Sequence, residues 1–539
     1  MPMILWAQAS ESWIEDVISS ADGESPVLDS LEWRPGPFLI PVLNLAGSRE
    51  RVRFQSSLMW TMPVSNSLSW SDTWARSRVT TLSGKQLRTD VLAIRRVHDP
   101  RTLDELHLTI AGKHEPSEIE FTLGTYQIDW GHGILASSAF GSARSFSFFR
   151  NSAIAPSKGV VPRATSREAN WLRGAAIEKQ LGRVHGAVFG NYREWNGNTG
   201  DESASLTGLL NPSTRTGLLM RDNIEERSAG VSARLESDRI SIGLLAQSSS
   251  FSPDLANVGP AHHSESVFAS GHWAGTVVSA EAARSGAHTA WSAILSQGTE
   301  QWRGAFYAMY AAPNYYALRS QGSFSFGEPF RNARIIGTRL GTERGAHDFS
   351  LDIRSNRTPA ATATVTPVRQ SDEATVGWTF KAAANASVDT RASYIVRNEN
   401  RDGQTIDRRI QSLRVEPVWT RLLVWSLRSE YRRHSLSSEN SAMSGNYLHL
   451  QAIRNEGMIR PGLRVAVFSL DGLESQILIY EPTILGAYPL ETFSGNGNRV
   501  SAWLTAYFGN WTVRTKFAHT RRENSDDVAE YALAFSYRR

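Results

Sequence analysis

The chain contains no cysteine. That excludes a disulfide framework, a thiolate nucleophile and a thiolate metal site. Lysine is scarce as well: six lysines (Lys85, Lys113, Lys158, Lys179, Lys381 and Lys516) leave 51 arginines among the 57 basic residues. Arginine keeps its charge in partly desolvated settings and pairs in a planar fork with carboxylates, so the bias suits a wall on which Arg and Asp/Glu interlock between strands. Against 53 acidic residues the net charge is only +4, too small to indicate a nucleic-acid binder by itself. No window approaches the ~18 consecutive apolar residues of a membrane-spanning helix. This leaves a β-barrel open, because barrel strands alternate lipid-facing and lumen-facing residues and average to a polar composition. Linkers are missing too. A soluble chain of 539 residues would ordinarily divide into roughly three or four domains, but composition hardly drifts from residue 51 onward, which favours one large unit. Walker A, G-x-S-x-G and H-E-x-x-H patterns are absent, so neither an enzyme nor a cofactor is expected.

What is present reads as strands. From residue 51 onward, apolar and polar residues alternate at period two over stretches of about eight to eleven. Leu423, Trp425, Leu427 and Tyr431 share one face, and Val424, Ser426, Arg428 and Glu430 the other. Likewise Leu448, Leu450 and Ala452 oppose Tyr447, His449 and Gln451, while Leu463, Val465 and Val467 oppose Arg464, Ala466 and Phe468. Tight turns are expected at Gly182-Arg183, Ser237-Asp238, Ala274-Gly275 and Gly509-Asn510. Longer polar loops are expected at residues 196–227, 251–264, 356–372, 434–446 and 482–498. The expected fold is all-β: a large single-chain transmembrane antiparallel β-barrel of roughly 24 to 28 strands spanning residues 51–539. The 17 tryptophans suit the aromatic girdles of such a barrel. Tyr531, Leu533, Phe535 and Tyr537 alternate with Ala532, Ala534 and Ser536 as a closing strand would. Barrels commonly end on an aromatic residue read by the barrel-assembly machinery; here Arg538-Arg539 follow it.

The first fifty residues differ. Met3-Ile4-Leu5-Trp6 followed by Ala7-Gln8-Ala9 reads as the end of a secretory signal, making residues 1–9 a remnant of a signal peptide or simply an apolar terminus. Residues 10–50 carry one helical spacing and four prolines, and read as a periplasmic prelude, a plug or a disordered leader.

The densest signature runs from Gly124-Thr125-Tyr126-Gln127-Ile128-Asp129-Trp130-Gly131-His132-Gly133 through Phe140-Gly141-Ser142 and Ser157-Lys158-Gly159 to Trp171-Leu172-Arg173-Gly174-Ala175-Ala176. It resembles the barrel portion of the helix-hairpin-helix-containing outer-membrane proteins common in Bacteroidetes and related phyla, which carry a similar "FGQGL" turn, a Lys-Gly loop and an "FLRGAA" strand. Thr216-Gly217-Leu218 and Tyr480-Glu481-Pro482 extend the likeness across most of residues 51–539. The resemblance implies an outer-membrane location. The family's DNA-associated helical hairpins have no counterpart in residues 10–50.

Gly131 and Gly133 suggest a bulge, a bend or close backbone approach, and His132 between them reads first as structural. His132, Arg144, Lys158, Arg163, Arg167 and Arg173 are the candidate loop or pore-lining residues, with residues 140–170 folded into or over the lumen. His262-His263 with Glu265 reads as surface decoration rather than a metal site. The expected function is passage or assembly of material across the outer membrane, including an anionic polymer such as DNA or polysaccharide. A closed structural or partner-binding barrel and a barrel enzyme are the alternatives. The expected partners are outer-membrane lipid and lipopolysaccharide, the assembly machinery, periplasmic or surface proteins, and DNA.

Overall fold

The computed structural model describes residues 50–538 apart from 64–72, 84–86, 96–104, 137–158, 163–170, 200–203, 207–218, 257, 300, 321–331, 359–368, 402–403, 423, 439–440, 472–476, 481–489 and 524. The signal-like and prelude segments therefore lie outside the described residues. The principal sheet holds 27 strands. Three of them, Gly159–Val161, Gly197–Thr199 and Ala204–Leu206, are short side pieces. The other 24 follow one another as antiparallel neighbours. The first, Glu50–Pro63, pairs with the last, Ser525–Arg538, from Arg53 opposite Arg538 to Pro63 opposite Val528. The sheet thus closes on itself and leaves no free edge, the condition for a sheet to stand in hydrocarbon.

Two kinds of connection define the two ends. One end gathers tight turns, among them Gly182-Arg183, Ala274-Gly275, Gly345-Ala346 and Gly509-Asn510. At Ala274-Gly275 both residues have positive φ (48° and 79°), the twist that matches a two-residue hairpin to its strands. The opposite end carries the long connections at 130–170, 196–223, 312–332 and 471–496. It also carries tight returns such as Gly286-Ala287. Two expected loops are instead wall. Ile240–Leu255 pairs with Gly259–Trp273, and Trp425–Ser438 pairs with Ser441–Arg454, so most of 251–264 and 434–446 is strand. The reason is physical: above the apolar belt both faces of a strand are polar, and the period-two signal vanishes although the hydrogen-bond ladder continues.

Within the belt the faces separate as the alternation predicts. Leu448, Leu450, Leu463, Val465 and Val467 are exposed, whereas Tyr447, His449, Arg464, Ala466 and Phe468 are buried on the inner side. On the closing strand Tyr531 is exposed, and Ala532, Ala534 and Ser536 are buried. Aromatic rows bound the apolar face. At the tight-turn end His347, Phe349, Trp378 and Phe380 form a stacked ladder with neighbouring ring centroids 4.9–6.3 Å apart, and exposed Trp273, Trp302, Trp419, Trp425, Phe508 and Trp511 share that level. At the other end stand Trp291, Tyr310 and Tyr394. The strand Trp302–Ala311 shows the spacing directly: its 10 residues carry Trp302 in one aromatic row and Tyr310 in the other, within the ~9–11 that cross a bilayer when tilted. A closed ring with an apolar belt between aromatic girdles is the construction of an outer-membrane β-barrel, and that is the fold and location of this chain.

Candidate functional site: segments folded into the lumen

Eight strands enclose a space that side chains can fill, whereas barrels of 16 strands and more enclose a channel or need a plug. A ring of 24 therefore has room to spare. The described segments of three of its own connections fold inward to occupy part of it.

The first follows the strand Ile119–Asp129. Residues 130–136 form a closed turn in which the Gly133 amide donates to the Trp130 carbonyl (2.9 Å) and the Trp130 amide donates to the Ala136 carbonyl (3.2 Å). The turn wraps a wall carboxylate. Glu281, on the strand Thr276–Ser285, accepts from the His132 amide (2.6 Å), from the Ile134 amide (3.4 Å) and from the Ser266 hydroxyl (2.7 Å). A Cβ at Gly131 (φ 51°) would lie 2.7 Å from the Glu281 carboxyl group, so the glycine is there to let backbone close on that side chain. The His132 ring bridges two strands, with Nε2 2.5 Å from Ser279 Oγ and Nδ1 2.5 Å from Ser292 Oγ. Burial lowers its pKa to about 4. Near neutral pH it is an uncharged imidazole, with one nitrogen to donate and one to accept.

The second segment, residues 312–320, follows Trp302–Ala311 and lies against the first. The Tyr315 hydroxyl donates to the Ile134 carbonyl (3.2 Å), and Ala136 and Arg319 form a parallel bridge. Arg319 Nη2 donates to both oxygens of Glu226 at 2.7 Å, and Trp195 Nε1 donates to the same carboxylate at 2.8 Å. Both charged groups are buried. His262 Nε2 lies 3.1 Å from the Tyr316 carbonyl and 2.8 Å from Ser285 Oγ. His262 therefore anchors this segment, where a surface position had been expected; among the described residues no group of three or more His, Cys, Asp and Glu is placed to hold a metal ion. Between the segments and the wall lies an apolar core containing Tyr126, Trp130, Ile134, Leu172, Phe268 and Tyr315. Each large side chain buried there adds about 1.5–3 kcal/mol.

The third is the hairpin Ile477–Tyr480 with Leu490–Phe493. It covers the inner face on the far side: Phe493 packs 4.8 Å from Phe468 and 5.2 Å from Tyr447 between ring centroids. Below it the inner wall is charged. Glu416 pairs with Arg414 and Arg428, Glu430 with Arg414 (2.9 Å) and Arg432, and Glu530 with Arg499 (2.8 Å) and Lys516 (2.7 Å). Arg464 donates to Gln451 Oε1 (2.9 Å). Here the arginine bias of the sequence has its place.

Of the candidate residues, His132 is brought into the lumen, on the first segment. Arg173 is exposed on the outer face it shares with Ile177, and its guanidinium donates to the Leu106 carbonyl (3.2 Å). It does not line the lumen, because the strand Trp171–Leu181 turns that side of its pleat outward. Arg144, Lys158, Arg163 and Arg167 lie outside the described residues. Glu281, Glu226 and Arg319 went unnoticed in the sequence. The one available signal was an inward-parity acid among small residues, Ser279-Ala280-Glu281-Ala282-Ala283. Gly131→Ala is expected to destabilise the folded barrel by about 1–3 kcal/mol, through the left-handed backbone and the clash with Glu281. The urea midpoint in detergent micelles measures this, and an unchanged midpoint would contradict the nest.

No family model matches the chain, and no curated protein matches it. Among solved structures it is similar to the P pilus usher (PapC) translocation pore, at 11% identity and a TM-score of 0.39, covering 90% of this chain and 99% of that one. It is also similar to an anion-selective porin from Comamonas acidovorans (11% identity, TM-score 0.29, 66% of this chain and 100% of that one). A third is the outer membrane protein opdK from Pseudomonas aeruginosa (9% identity, TM-score 0.31, 66% and 98%).

Proposed function

We propose that this barrel is a plugged passage: material crosses the outer membrane through its lumen when the inserted segments yield. The observation that carries the reading is the way residues 130–136 and 312–320 are held, against the wall of a ring too wide to be filled by its own side chains. They are attached through discrete polar latches, at Glu281 and at Glu226, around a local apolar core. A latch of a few hydrogen bonds can be exchanged for others at little net cost. The charged side of the lumen is the proposed path. Its described inner residues include Arg414, Arg428, Arg432 and Arg464 beside Glu416 and Glu430, and this supports an anionic polymer, such as DNA or polysaccharide, as the cargo. The motif-level resemblance to the helix-hairpin-helix outer-membrane proteins belongs to the same proposal.

The second reading is a closed scaffold, favoured by the depth to which Arg432, Glu430, Arg499 and Glu530 are buried. Planar-bilayer recordings separate the two. For a plugged passage the parent protein should be mostly silent with brief openings. Replacing Glu281 and His132 together by alanine should give a steady current with reversal potentials favouring anions. Silence from a double variant that remains a heat-modifiable barrel would reject the passage and leave the scaffold.

A further inference from the structure

On the outer wall, at the end with the long connections, one row of cross-strand partners runs Trp291, Tyr310, Arg334, Arg357, Gln370. The two rings lie 6.4 Å apart and mark the membrane boundary. The two arginines beside them stand directly opposite each other, both exposed. Neighbours in that relation have Cβ atoms about 4.5–5.5 Å apart, and like charges so placed repel. Two other outward arginines at this end do meet a carboxylate of the wall: Arg227 reaches Glu225 at 3.3 Å and Arg284 approaches Glu265 at 3.9 Å. Among the described residues Arg334 and Arg357 have no such carboxylate. The acid nearest in register is Asp372, diagonal to Arg357 across the pairing of Arg357 with Gln370. It is engaged instead by Ser355 Oγ (2.5 Å) and Gln370 Nε2 (2.6 Å). Toward the bilayer, the same face of these two strands carries exposed Ile336, Leu340, Ile353 and Phe349. The paired guanidinium groups thus cap a lipid-covered apolar column.

We propose that Arg334 and Arg357 form a binding site for a phosphorylated lipid headgroup of the outer leaflet, the two guanidinium forks holding its phosphate while the acyl chains cover the near part of the column, Ile336 and Ile353. Two adjacent forks match the oxygens of one phosphate monoester, and the anion relieves the repulsion that the wall leaves unanswered. The apolar column selects a lipid over free phosphate. This site rests on the outer-membrane reading. Failure of that reading would be visible separately, as a chain that never yields a heat-modifiable, membrane-inserted form.

The test is binding of bisphosphorylated lipid A to the detergent-purified full chain, followed by native mass spectrometry. Lipid A lacking both phosphates and inorganic phosphate serve as competing probes. R334Q/R357Q is expected to lose about fivefold or more in affinity, and R227Q/R284Q, which removes equal charge from the same end, less than about twofold. R334K/R357K keeps the charge without the fork and should fall between, and it keeps the test open if the glutamine variant fails to fold. Equal binding by parent and R334Q/R357Q, or undiminished binding of the dephosphorylated glycolipid, would overturn the site. Displacement of the lipid by millimolar inorganic phosphate would overturn the assignment to a lipid.

Discussion

Leu450→Arg should destabilise the inserted barrel by about 2–4 kcal/mol, the cost of a guanidinium facing lipid near the bilayer midplane. Leu450 is the most exposed large apolar residue on its strand, Ser441–Arg454, at 63%. Its cross-strand partners are Ser429 and Val465. Depth follows from register. Arg454 is opposite the girdle residue Trp425, and position 450 lies four residues further along the strand, about 10 Å toward the centre of a ~25 Å belt for a tilted strand. Leu427 has the same orientation but lies only two residues from Trp425, opposite Trp419. Leu427→Arg should therefore cost only about 0–1 kcal/mol, since the guanidinium can snorkel to the interface. Arg428→Ser should be similarly mild, because Arg428 points into the lumen and Glu416 keeps Arg414 as a partner. Urea unfolding of vesicle-inserted protein, followed by tryptophan fluorescence, measures all three. Equal tolerance of Arg at 450 and Ser at 428 would contradict the assigned faces.

The contrast between 427 and 450 shows what was legible in the sequence and what was not. Faces were, because a strand buried on one side and bathed in lipid on the other must alternate: Arg464 between Leu463 and Val465 has one arrangement that satisfies both solvents. Depth was not, since it depends on the register of neighbouring strands. Turns with obligatory positive φ, such as Ala274-Gly275, could be read locally. Wall continuing above the membrane could not, because Ser437 and Ser438 or His262 and His263 look like loop once no apolar face is required. Gly131 and Gly133 announced an unusual backbone, but Glu281, the side chain that explains Gly131, lies about 150 positions away in the chain. Nor does the alternation say which strand closes the ring; the pairing of Glu50–Pro63 with Ser525–Arg538 joins the two ends of the described chain. Contacts of that range carry no local signature, and so the contacts at Glu281 and Glu226 had to come from the structure.

Glu226→Ala should destabilise the inserted barrel by about 3–5 kcal/mol, because it strands a buried charge. Arg319 and Glu226 are 3% and 0% exposed. Without Glu226 the guanidinium loses both of its 2.7 Å bonds, and Trp195 Nε1 loses its 2.8 Å acceptor. Residues 312–320 can relieve that penalty by leaving the wall, which would carry Arg319 into water and take the Tyr315 bond to Ile134 with it. Two readouts should therefore move together: the urea midpoint falls and the bilayer current rises. The compensated variant E226L/R319M/W195F discriminates the cause. Replacing a buried ion pair and its hydrogen-bond donor by apolar groups of similar volume is often neutral, so this variant should regain most of the lost stability and return to the closed state. In the cycle of Glu226→Ala and Arg319→Ala, a coupling above about 2 kcal/mol is expected for groups that act as one buried pair. A cost of about 0–1 kcal/mol, as for an exposed ion pair, would show that the Glu226–Arg319 pair does little to hold residues 312–320. A fall in stability without any rise in current would place the segment in the scaffold and not in the gate.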